Sequence, residues 1–125
     1  MSYTITVPLG VRPSLFVGTK PVAVIFAGER ELAHTWTRVY KAILQRAIQD
    51  PLQYNTLMEL RNRLGGKVRV FISDKPDGMT RPCKIADELY GETHYGSETQ
   101  MHILVNIILY AMGYDYSDIE LEIKP

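Results

Sequence analysis

Apolar residues recur along this chain in two rhythms, and each rhythm predicts an element. From Trp36, the positions Val39, Tyr40, Ile43, Leu44, Ala47 and Ile48 follow at intervals of three and four. That is the period of a helix with one buried face, and Thr35 stands where its N-cap belongs. A second helix restarts at Asp50-Pro51: the carboxylate accepts first-turn N–H groups, and proline has none to leave unsatisfied. Gln53 is placed to close a capping box, and Gly65 to stop the helix in the left-handed region. In GSETQMHI, Ser97 is the expected N-cap, Gln100 closes its box and Glu98 sits in the first turn, where the helix dipole favours an anion. Gly113 marks the end of this third helix.

The strands read differently. PVAVIF (21–26) is a compact apolar run suited to a buried strand, and AGERELAH turns at Gly28 into a short partner, a hairpin. KVRVFISD (67–74) sets Val68, Val70 and Ile72 against Lys67, Arg69 and Ser73, the two-residue period of a half-buried strand with one basic face. DIELEI (118–123) alternates in the same way, while KPDGM reads as turn residues and PCKIADELYGE as an irregular strand or loop. The first 21 residues, with Pro8, Pro13 and Pro21, read as an extended N-terminal arm, or through TITVP as an edge strand. Residues 22–125 then form a single α+β domain: a mostly antiparallel sheet of about four to six strands with three helices packed on one face.

The chain has 125 residues, 46% of them hydrophobic, enough for one core and too few for two ordinary domains. One cysteine, Cys83, can form neither an internal disulfide nor a cysteine zinc site. The N-terminus lacks the basic start and apolar stretch of a signal peptide. The longest apolar run, ILVNIILYAM, is interrupted by Asn106 and falls short of the ~20 residues of a membrane span. The expectation is a soluble cytoplasmic protein with no membrane partner.

The stretch LYGETHYGSETQMHI holds the densest polar chemistry: Glu92, His94, Glu98 and His102. Glu98 and His102 are four apart and share a helical face, and mixed histidine and carboxylate ligands suit zinc, manganese or iron. No HExxH pattern and no marked nucleophile accompanies them, and a capped helix explains residues 97–100 without a substrate. Cys83 with His94 as a nucleophilic pair is weaker, since a lone cysteine behaves most often as a small buried hydrophobe. The sequence therefore assigns no catalytic residue, no metal and no cofactor.

Charge changes the picture more. The net charge is zero, but residues 61–84 carry seven bases against two acids, a net of +5, and residues 85–125 carry eight acids against one base, a net of −7. Arg61, Arg63, Lys67, Arg69, Arg81 and Lys84 are the candidate nucleic-acid contacts, a set able to neutralise backbone phosphates without reading bases. Against this, Arg61 and Arg63 also suit a helix C-terminus, and the others could pair with the acidic segment. The second reading is a protein-interaction module, such as a phage or mobile-element regulator or inhibitor. It rests on the 98–112 helix, apolar on nearly all sides from Ile103, which must be buried centrally or against another chain. In self-association, that helix or the strand edges would form the contact, with a two-fold homodimer as the default.

Several short motifs occur together: Phe26-x-Gly28 with Thr35-Trp36, VRVFISDKPDGMTRP, LYGETHYGS, and LYAMGYDYSDIELEI. As a set over about residues 22–123 they resemble an uncharacterised domain of Firmicutes and gut-bacterial proteins. In that domain Tyr90, Glu92, Thr93, Ser97 and Met112-Gly113-Tyr114 have counterparts at the same spacings. The resemblance implies an accessory domain, sometimes appended to proteins linked with restriction, DNA modification or mobile elements. This chain departs from the pattern at Gly91, where valine is usual, and at His94, where asparagine is usual, so His94 does not carry a family role.

Overall fold

The computed structural model describes residues 3–65 and 70–125. Strand β1 (Ile5–Pro8) leads through a 3-10 turn (Pro13–Phe16) to β2 (Lys20–Phe26) and β3 (Glu29–Leu32), then to helices α1 (Trp36–Ala47) and α2 (Pro51–Leu60). Strands β4 (Ile72–Ser73), β5 (Pro82–Ala86) and β6 (Leu89–Glu92) follow. The third helix opens as α3 (Ser97–His102), widens into a π-helix (Ile103–Leu109) and closes as α4 (Tyr110–Met112), before β7 (Ile119–Lys124). The fold is α+β with antiparallel pairing throughout, but the strands divide into two sheets, ordered β1-β7-β2-β3 and β4-β6-β5.

Local chemistry accounts for most element ends. Thr35 caps α1 by accepting from Arg38 N at 3.1 Å, and Asp50 Oδ1 accepts from Leu52 N at 2.9 Å ahead of Pro51. Ala27 and Gly28 both have positive φ, at 50° and 89°, the mirror-image turn whose twist suits a two-residue hairpin. Gly113, at φ 65°, ends the third helix in the left-handed region, as its position in the sequence predicts.

Several expectations are corrected. Helix α2 stops at Leu60, not near Gly65, because Asn62 takes a left-handed conformation (φ 63°) and donates its N–H to Ile72 O at 2.7 Å. Its backbone leaves the helix to pair with β4, and Phe71 N donates back to Leu64 O at 2.8 Å. Gln53 closes no capping box: its Oε1 is buried without a partner among the described residues. Ser97 is not the N-cap either. Gly96 holds that position without a side-chain bond, and the Ser97 hydroxyl donates instead to Phe16 O at 3.0 Å, a tie across 81 residues. PCKIADELYGE is a hairpin, β5 to β6, turning through Glu88 at φ 56°. The strand expected over 67–74 appears as Ile72–Ser73 with a bridge from Val70 to Gly65, and Ile72 and Ser73 are both buried. Lys67, Val68 and Arg69 lie outside the described residues.

One core joins the elements. Tyr40, Ile43 and Leu44 of α1 meet Leu104 and Ile108 of the third helix, Leu121 and Ile123 of β7, and Leu89 of β6, all fully buried. The N-terminal segment contributes Leu9 and Phe16 to the same cluster. Each such large apolar side chain stabilises the fold by about 1.5–3 kcal/mol relative to exposure. The apolar third helix is thus buried within the chain itself. Its π turns, bonded i to i+5, space the exposed His102, Asn106 and Tyr110 at every fourth residue.

Candidate nucleic-acid interface

The residues of the polar stretch do not converge. Glu92, at the end of β6, is 2% exposed, and its carboxylate turns inward to accept four backbone N–H groups. These come from Thr80 at 2.7 Å, Arg81 at 2.8 Å, Thr93 at 3.1 Å and His94 at 3.2 Å. Burial alone would push this carboxyl up, but the four donors together hold it below the ordinary carboxylate range. Thr93 completes the clamp: its N–H and hydroxyl both donate to Arg81 O, at 3.0 and 2.8 Å. Residues 80–81 and 92–94 are thereby fastened into one rigid unit.

That unit presents side chains. Arg81, His94, Tyr95 and Gly96 line an open hollow of about 220 Å³. Tyr95 is held edge-on to Phe71, with ring centroids 6.3 Å apart, and Phe71 O in turn accepts from Glu92 N at 3.1 Å. Ion pairs among the described residues join Arg30 with Glu122, Arg46 with Glu29 and Lys84 with Asp87. Arg81 enters none of them, so a guanidinium carried on a fixed stretch of backbone and an imidazole line a common opening beside an aromatic ring. Such a set receives an anionic oxygen and a flat ring.

Glu98 and His102 line a different hollow, of about 360 Å³, together with Arg12 and Ser14. His102 Nδ1 lies 3.1 Å from Asn106 Nδ2. No group of three or more ligating side chains assembles among the described residues. Cys83 is buried in β5, and burial pushes its thiol up, away from nucleophilic form. His94 is exposed at its own hollow, and the Cys83–His94 pairing has no geometry to support it.

The six basic candidates separate. Arg61 is held structurally: its Nε donates to Met58 O and its Nη1 to Glu88 O, both at 2.8 Å, tying the end of α2 to the β5–β6 turn. Lys84 Nζ sits 3.1 Å from Asp87 Oδ1 on the surface. Arg63 lines a polar hollow of about 510 Å³ with Asn55, Glu59, Asn62 and Asp74. Arg81 lines the hollow beside His94, and Lys67 and Arg69 lie outside the described residues. Of the acidic segment 85–125, Asp87 thus pairs with one of the six, as the charge pattern allowed, while Glu122 pairs with Arg30 across β2, at 2.7 and 3.1 Å. Tyr95 was not among the sequence candidates. The available signal was an aromatic directly after a histidine at the end of a strand.

No protein-family model, curated protein or solved structure matches the chain.

Proposed function

We propose that this protein is a non-catalytic binding module that contacts nucleic-acid phosphates, with Arg81 as the anchor. The observation that carries this reading is the mounting of Arg81. Glu92 and Thr93 fix its backbone from both sides, while its guanidinium is unpaired among the described residues and faces the hollow beside His94. Preorganisation of this kind lowers the entropy lost on binding. Arg63 and, by sequence, Lys67 and Arg69 extend the same positive segment. Arg61 and Lys84 contribute less, because each already has a partner. The acids of residues 115–122 belong to β7 and its approach, in the other sheet, which supports a dipolar molecule with one cationic end.

Fluorescence anisotropy with a labelled mixed-sequence oligonucleotide tests this at low and at physiological salt. Binding without sequence preference, lost or weakened at least tenfold in Arg81→Glu with an unchanged melting temperature, is the expected result. A flat trace for the wild-type protein in both salts would remove nucleic acid as a direct partner and favour a protein partner instead.

A further inference from the structure

We infer that the hollow beside Arg81 takes one unstacked nucleotide of a single strand, with its phosphate on the Arg81 guanidinium and its base against the Tyr95 ring. This rests on the nucleic-acid reading above and narrows it. Tyr95 lines the hollow alongside Arg81 and His94, and its contact with Phe71 is tilted at 76°, an edge arrangement that supports the ring without stacking on it. At about 220 Å³ the hollow has room for one base. In a duplex the base faces are covered by their neighbours, so an aromatic ring beside a cation has nothing flat to receive. In a single strand every base offers a face, and stacking is indifferent to its identity. At Gly96 the wall is uncrowded: a Cβ built there meets nothing within 4 Å beyond its chain neighbours, so a larger side chain fits at that edge of the hollow.

The same Gly96 supplies a variant that blocks the hollow without touching the core, since its φ of −67° is ordinary for any residue. The experiment compares a labelled ten-nucleotide single strand with a duplex of equal length, at low salt, for wild type, Tyr95→Phe, Tyr95→Ala and Gly96→Leu. The expected outcome is a single-strand preference of at least about tenfold. Tyr95→Phe should retain it, and Tyr95→Ala and Gly96→Leu should each remove about tenfold of single-strand affinity while duplex affinity stays put, in line with the loss of one stacked base. Arg12→Ala, in the separate hollow, should leave both unchanged. Equal single-strand and duplex affinity, with Tyr95→Ala and Gly96→Leu both neutral, would overturn this inference and leave the phosphate reading standing. Absence of binding to either form would overturn both. Melting curves identify a Tyr95→Ala that has lost its packing on Phe71, and Gly96→Leu then decides the matter.

Discussion

Glu92 shows how much one buried carboxylate can organise. A hydrogen bond to a charged group contributes about 1.5–3 kcal/mol, and this one accepts four, though such contributions do not add. Glu92→Gln retains one acceptor oxygen and turns an NH2 group toward the remaining backbone donors. It is expected to cost about 2–4 kcal/mol at neutral pH, measured by urea unfolding. The pH dependence follows from the depressed folded-state pKa. The stabilisation is fully present above the ordinary carboxylate value, about 4.3, and is lost as pH falls through the lower folded value. Wild-type stability should therefore drop in acid along a leg that Glu92→Gln lacks.

Gly91 and Tyr40 form a second residue-scale lock. A Cβ on Gly91 would meet the Tyr40 hydroxyl and come within 2.8 Å of Cε1 and Cζ of the same ring. Gly91→Ala is expected to destabilise by about 1–3 kcal/mol or more, by forcing the ring aside. The Tyr40 hydroxyl itself is fully buried with no partner among the described residues, and burial pushes its pKa up. Tyr40→Phe removes an unsatisfied polar atom and should be neutral or stabilising by up to about 1 kcal/mol, read as the shift in urea midpoint.

At the scale of elements, local signals sufficed where local chemistry decides. The interval pattern and Thr35 mark α1, Asp50-Pro51 marks the start of α2, and the alternation of Ile119, Leu121 and Ile123 marks β7, whose odd positions are all buried. They failed where a distant partner decides. The end of α2 is set by Ile72 O, the Ser97 hydroxyl is drawn to Phe16 O, and neither partner lies near in sequence. The β5–β6 hairpin was hidden because its turn places Glu88, not glycine, in the left-handed region. That conformation costs a non-glycine residue about 1–2 kcal/mol, partly offset in glycine by greater chain entropy. Glu88→Gly is therefore expected to stabilise by about 0.5 kcal/mol in thermal unfolding, since the Glu88 side chain makes no hydrogen bond or ion pair among the described residues and the carbonyl that Arg61 engages is retained. The candidate site was half legible for the same reason. Arg81 stands out by charge, but its mounting by a carboxylate eleven residues later, and the placement of Tyr95 beside it, are products of the fold.

At the scale of the whole molecule, Lys84 lies in β5 of the β4-β6-β5 sheet, with Arg81 directly before that strand, and Glu120 and Glu122 lie in β7 of the other sheet, while Asp87 and Glu88 turn the β5–β6 hairpin. No helix among the described residues is long and apolar enough to cross a membrane. Nonspecific phosphate binding by such a surface depends on counterion release, so its signature is the salt dependence of affinity and not the affinity alone. The most direct test is the slope of log affinity against log salt for a labelled single strand, measured for wild type and for Arg81→Gln in parallel. If Arg81 holds a phosphate, affinity falls linearly with rising salt, and the variant's slope is shallower by about 0.7, the share of one phosphate on a single strand. Parallel lines of equal slope, or no salt dependence at all, would contradict the account.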